Sequence, residues 1–197
     1  MPENTQPHGH PLNAKRPQHR QDMLPGDAAV AKAQQQLRDF IALQAEKITA
    51  KVGFTWIAEP DAPENFYELR RCFTVSSMTR QPLPVNSKDA EHTVYGSPEA
   101  NYQLRFVHDC LHVTSGLTFS SKDEYVLACH FMELAEDHGI RRGTIAWHLL
   151  LSDAVGQALY YAITKQYVSD QLRFGMDTVN HGLHRALLME IERNNAQ

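Results

Sequence analysis

The stretch "DAAVAKAQQQLRDFIALQAEKITAKVG", from Asp27 to Gly53, decides the fold class. It is rich in strong helix formers, and its large apolar residues recur at helical spacing. Those apolar residues are Val30, Leu37, Phe40, Ile41 and Ile48. Gly53 is a natural stop, because glycine readily adopts the left-handed conformation that ends a helix. The stretch therefore predicts a long helix with one apolar face.

The residues before this helix have a different composition. Residues 1–26 carry five prolines among Gln, Asn and His, with few large apolar residues. Such a segment cannot bury enough apolar surface to offset the entropy that it loses on ordering. We therefore predict a disordered leader over residues 1–26 and one folded domain over residues 27–197.

The residues after this helix predict more helices. Residues 54–97 indicate irregular chain with a short helix near residues 65–72 and no convincing strand pair. Capping serines, threonines and stop glycines then predict four helices, over about 97–114, 120–137, 144–166 and 177–193. The class is all-α, a single-domain bundle of five or six helices.

Composition and charge indicate which partners and which cellular compartment to expect. The formal net charge of −4 gives no indication of nucleic acid or of an anionic membrane surface as a partner. No segment approaches the roughly 20 apolar residues of a membrane span, and the N-terminus lacks the apolar core of a signal peptide. Three widely spaced cysteines without a C-x-x-C pair indicate a reducing compartment. We expect a cytoplasmic protein, and the sequence leaves open whether it forms a homo-oligomer.

The helix from Ser97 carries a polar arc on an otherwise apolar circumference. Its members lie within about 100° on a helical wheel: Asn101, Arg105, His108, Asp109 and His112. The arc contains no Lys or Glu, the usual residues of a solvated helix face, although a solvated face is the plain alternative. Histidines four residues apart can bind one metal ion, and the adjacent aspartate can be a further ligand or can orient an imidazole.

Glu124 completes the predicted metal site. In one register Ser121 caps the next helix and Glu124 bonds back to it as a capping box, without a chemical role. In the other register Ser120 is the cap, Asp123 is its partner, and Glu124 is free. Glu124 shares the apolar face of that helix, where a carboxylate is costly unless it is paired or binds a metal. A short loop makes the two helices antiparallel neighbours, so we expect Glu124 near His112.

The four predicted ligands, His108, Asp109, His112 and Glu124, are nitrogen and oxygen donors. This set suits Zn best, with Fe or Mn as alternatives, and it leaves open coordination positions. An open position favours a metal-dependent enzyme that acts on a small, apolar molecule. Glu124 or Asp109 would be its general base.

The pattern His-Asp-x-x-His, then eleven residues, then Glu, resembles the metal motif of the ubiquinone (coenzyme Q) biosynthesis protein family. His108, Asp109, His112 and Glu124 meet it, and Gly116 matches a glycine four residues after the second histidine. The resemblance covers residues 98–139. It implies an all-α fold, a divalent metal at these positions, and a role with a lipid-like quinone precursor, as an assembly organiser or in removal of the ring carboxylate. Uncharacterised bacterial and phage proteins with a His-Asp motif are similar too.

Two other functions fit the same residues. An HD-type phosphohydrolase is also all-α, and His92, His108, Asp109 and Asp153 could form its metal site, although that leaves His112 and Glu124 unexplained. The second alternative is a non-enzymatic binding or scaffold module whose metal holds the fold together.

Overall fold

A computed structural model describes residues 25–195, and the predicted leader lies almost entirely outside them. The described chain is mainly helical, which confirms the all-α class. Its helices are α1 (Asp27–Val52), α2 (Phe66–Thr79), α3 (Pro98–Ser115), α4 (Ser121–Asp137), α5 (Ile145–Leu151), α6 (Gln157–Thr164), α7 (Gln171–His181) and α8 (Leu183–Asn195). A π-helical turn, Ser152–Gly156, joins α5 to α6, and two short strands are β1 (Trp56–Glu59) and β2 (Leu83–Asn86).

Helix α1 forms as predicted and supports the rest of the bundle. Gly53 ends it with a φ of 78°, and its amide donates to the carbonyl of Thr49. The apolar face packs on α3 and α5. Leu37 and Ile41 are fully buried there, which places the predicted stripe in the main hydrophobic core.

The absence of a strand pair was a wrong prediction. Strands β1 and β2 lie parallel, with Trp56 opposite Leu83, and α2 forms the crossover between them. Each strand has only four residues, too few to show a clear alternating pattern. Helix α2 is also longer than predicted and is capped by Asn65, whose side chain accepts a hydrogen bond from the Glu68 amide.

Helices α3 and α4 are joined by a short loop, and their ends match the sequence. They do not pack along their lengths as the expected antiparallel neighbours would, because α3 packs mainly on α1, and α4 packs on α6 and the π turn. Ser97 caps α3 and Pro98 occupies its first position. Gly116 ends α3 with a φ of 69°, in the left-handed region that favours glycine. Ser120 caps α4, since its hydroxyl accepts a hydrogen bond from the Asp123 amide at 3.2 Å.

The C-terminal part differs from prediction in two places. One helix was expected over about 177–193, but Gly182 divides the chain into α7 and α8, with α7 capped by Asp170. Gly182 has a φ of 79° and a ψ of 156°, a combination that ends a helix and is accessible mainly to glycine. The helix expected over 144–166 is present, but the π turn interrupts it. With α5, the π turn and α6 taken as one helix, residues 25–195 hold seven helices, close to the five or six expected.

None of the helices in the described part of the chain combines the length and the apolar character that a membrane crossing requires.

Candidate metal centre

Three side chains meet where α3 ends and α4 begins. The Nε2 atoms of His108 and His112 lie 3.1 Å apart. The Glu124 carboxylate lies 3.1 Å from His108 Nε2 and 3.3 Å from His112 Nε2. Among the residues described, this is the one group of three or more His, Cys, Asp or Glu side chains with converging donor atoms. The expected meeting of Glu124 with the two histidines is therefore present.

The spacing of these atoms fits a bound cation. Zinc binds nitrogen and oxygen ligands at about 2.0–2.2 Å, which places neighbouring ligands of a tetrahedron about 3.3 Å apart. The two histidine nitrogens are separated by nearly that edge length, and each lies at a similar distance from one of the two Glu124 oxygens. Three protein ligands leave a fourth position for a water or a substrate atom, the arrangement typical of catalytic zinc.

The second nitrogen of His112 is held by the backbone. His112 Nδ1 lies 3.1 Å from the carbonyl oxygen of Leu117, so Nδ1–H donates to it. The amide of Leu117 in turn donates to the carbonyl of His112, and the Gly116 amide donates to that of Val113, which together form a Schellman motif. With a cation bound, the proton would stay on Nδ1, and the lone pair on Nε2 of His112 would be available to the cation beside Glu124.

Asp109 lies beside His108 on the side away from the three converging atoms. Its Oδ1 is 3.5 Å from His108 Nδ1, and its side chain is 20% exposed. Of the two roles considered for Asp109, this position supports the orientation of an imidazole more than ligation. Its assignment as a fourth ligand and as a general base stays a prediction.

The charges of the cluster reinforce one another. Burial raises the pKa of Glu124, but hydrogen bonds from His108 and His112 outweigh it and lower the pKa from 4.5 to about 2. Burial lowers the pKa of His108, but hydrogen bonds to Asp109 and Glu124 outweigh it and raise the pKa from 6.5 to about 10. Without a cation, His108 is therefore protonated at neutral pH and Glu124 is ionised.

The cap of α4 decides between the two registers that the sequence left open. Ser120, not Ser121, accepts the capping hydrogen bond from Asp123. Asp123 itself accepts hydrogen bonds from the amide and hydroxyl of Thr118, which tie the loop to the helix start. Glu124 is consequently free of capping and points to the histidines.

The polar arc of α3 faces a cleft instead of bulk water. Asn101, Arg105, His108 and Asp109 line a cleft of about 1240 Å³, and His112 lies fully buried beneath it. Apolar side chains line the cleft as well, from α3, α4 and the loop between them: Leu104, Leu111, Phe119, Leu127 and Phe131. The centre thus opens into a space large enough for a small molecule.

The residues of the phosphohydrolase alternative are arranged differently. His92 and Asp153 line the same cleft, but neither joins the converging atoms of the metal centre. His92 is exposed, and Asp153 accepts a hydrogen bond of 2.5 Å from the buried hydroxyl of Tyr95. Sequence reasoning missed both Tyr95 and the Leu117 carbonyl, because a buried tyrosine and a backbone oxygen give no pattern of their own.

Comparisons with protein-family models, with curated proteins and with solved structures find no match to this chain.

Proposed function

We propose that this protein holds a divalent cation, with zinc favoured, on His108, His112 and Glu124, and that it is a metal-dependent enzyme acting on a small apolar molecule. The observation that carries the proposal is the convergence of two imidazole nitrogens and one carboxylate at the wall of a cleft. The Nε2 atoms of His108 and His112 lie 3.1 Å apart, and Oε2 and Oε1 of Glu124 lie 3.1 and 3.3 Å from them. The nitrogen and oxygen donor set also suits Fe or Mn.

Each residue has a defined part in this proposal. A cation in this place polarises an oxygen of the substrate or activates water. The Leu117 carbonyl orients His112, and Asp109 orients His108. Because Glu124 would be occupied as a ligand, Asp109 is the predicted general base of the two proposed from the sequence that stays available.

The apolar side chains that line the cleft, such as Leu104, Phe119 and Phe131, support a substrate with an apolar part. A quinone-like ring with a hydrocarbon substituent, the substrate class that the family resemblance implies, suits such a lining. Hydrolysis, hydroxylation and decarboxylation of this molecule are the candidate reactions. All three cysteines are free thiols, which supports a reducing, cytoplasmic setting.

The direct test is elemental analysis of purified, tag-free protein with matched variants. Glu124→Gln and His112→Asn should each lose a stoichiometric metal. The controls are Glu133→Gln and His130→Asn, since both residues lie on α4 with side chains that are 75% and 52% exposed. Retention of full metal by Glu124→Gln and His112→Asn would contradict the proposal.

The phosphohydrolase is kept as a second candidate because His92 and Asp153 share the cleft with His108 and Asp109. It predicts turnover of nucleotides or phosphate esters by the metal-loaded protein. That activity should fall in Asp153→Asn and survive in Glu124→Gln. The first proposal expects the opposite pattern for bound metal, which Asp153→Asn should keep and Glu124→Gln should lose.

A further inference from the structure

Asn101 is a buried polar residue without a partner. It is 6% exposed and lines the cleft, yet its buried side-chain nitrogen, Nδ2, makes no hydrogen bond with any residue that the structure describes. Asn101 precedes His108 by seven residues, so both lie on one face of α3, about 10 Å apart along the helix axis. Because an unpaired buried amide destabilises a fold, its presence beside a cleft points to a ligand.

Asp153 presents a second unused polar atom to the same cleft. Tyr95, which is fully buried, donates its hydroxyl hydrogen bond to Oδ2 of Asp153. Oδ1 has no hydrogen-bond partner among residues 25–195. The π turn that carries Asp153 is a rare irregularity, and such turns are frequent at functional sites.

The two residues line the same cleft. Arg105 and His108 of α3 line it with them. Arg105 is one helical turn from Asn101, and its own guanidinium is engaged by the carbonyls of Asn86 and Lys88. Asn101 and Asp153 therefore each offer a polar group to a ligand in the cleft, whereas the Arg105 guanidinium is already engaged.

We propose that Asn101 and Asp153 form a subsite for oxygen substituents of the ligand, in which Asp153 accepts a hydrogen bond from a hydroxyl and the Asn101 amide pairs with a hydroxyl or carbonyl oxygen. The ligand is then a hydroxylated, largely apolar molecule. This proposal rests on the proposed function in one respect: both place the ligand in the same cleft, with the metal centre farther along it.

The test uses 4-fluorophenol and 4-fluoroanisole, which differ by a methyl group on the oxygen, and fluorine NMR to measure their binding. The wild-type protein should bind the phenol about tenfold more tightly, as one hydrogen bond to a carboxylate allows. Asn101→Leu or Asp153→Asn should reduce that preference towards parity, while Glu133→Gln should keep it. Thermal unfolding shows that each variant is folded, and Asn101→Leu should have the higher melting temperature because its unpaired amide is gone.

Glu124→Gln separates this inference from the proposed function. The phenol preference should persist in this variant, because the subsite does not need the cation. Loss of the preference in Glu124→Gln, with retention in both Asn101→Leu and Asp153→Asn, would place the hydroxyl at the metal and overturn the subsite alone. Equal binding of the two probes by the wild type, or no binding of either, would also overturn it.

Discussion

His112 and Leu117 are joined by two hydrogen bonds in opposite directions. The ring Nδ1–H of His112 donates to the carbonyl of Leu117 at 3.1 Å, and the amide of Leu117 donates to the carbonyl of His112 at 3.0 Å. The second bond closes the Schellman motif of α3, so the motif that ends this helix also fixes the orientation of a proposed metal ligand.

Gly116→Ala should therefore weaken metal binding without touching a ligand. Gly116 has a φ of 69°, and a Cβ there would meet no atom within 4 Å, so the substitution acts only through backbone strain. We expect a loss of about 1 kcal/mol in the free energy of unfolding. We also expect a loss of about tenfold in zinc affinity, measured by competition with a chelating dye.

Gly139→Ala is the matched control for that variant. Gly139 has a φ of 87° and equally open space around it, but it follows the far end of α4. Gly139→Ala should lose about as much free energy of unfolding as Gly116→Ala, and it should keep the zinc affinity of the wild type. Equal affinities in the two variants would mean that the end of α3 does not orient His112.

The metal-free protein should be most stable in mildly acidic solution. Glu124 has its pKa lowered from 4.5 to about 2. Its contribution to the free energy of unfolding is therefore complete above pH 4.5 and disappears as the pH falls towards 2. His108 has its pKa raised from 6.5 to about 10. Its contribution to the free energy of unfolding is therefore complete below pH 6.5 and disappears as the pH rises towards 10.

Urea unfolding of the metal-free protein across this range measures the effect. The difference in unfolding free energy between wild type and Glu124→Gln should form a plateau between about pH 4.5 and 6.5 and decline on both sides. A difference that does not vary with pH would show that Glu124 and His108 do not interact in solution.

Removal of the metal should leave the protein folded. The main core is built from buried apolar residues of α1, α3, α4 and α5, such as Leu37, Phe106, Phe131 and Leu149. We expect chelated protein to keep its helical circular dichroism and a cooperative unfolding transition, with the melting temperature raised again by added zinc. Collapse of the helical signal on chelation would instead favour the scaffold with a structural metal.

The α7–α8 pair should depend on a buried ion-pair network. Glu190 is 3% exposed and is paired with Arg193, which also binds Asp177, while Arg173 approaches Glu190 at 3.6 Å. Arg193→Met leaves a buried carboxylate poorly compensated, so we expect a loss of about 3 kcal/mol by urea unfolding. The control Arg185→Met removes an exposed arginine of α8 and should change stability by less than about 0.5 kcal/mol. Similar values for both variants would contradict the role of the network.

Local signals explain which parts of the fold could be predicted. Helices α1, α3 and α4 begin at capping residues or helix formers and end near glycines, and they appear where expected. The pairing of β1 with β2 depends on chain segments separated by the whole of α2, and no local pattern encodes it. The break at Gly182 was missed because a single glycine within a helical pattern is often tolerated.

The candidate site also has a part that the local sequence predicts and a part that it does not. His108, His112 and Glu124 follow from helical spacing and a short connection, because positions four apart share a face and the loop brings the start of α4 to the end of α3. The partners of these residues could not be predicted. The Leu117 carbonyl depends on how the loop turns, and the contact of Tyr95 with Asp153 joins residues 58 positions apart.

The three ligand atoms come from 17 consecutive residues, His108 to Glu124, on two helices joined by a short loop. Bringing them together requires closure of only a short loop, whose entropic penalty is small and whose formation is fast. Translation runs from the N-terminus, so all three proposed ligands are already in the nascent chain before its C-terminal third is translated.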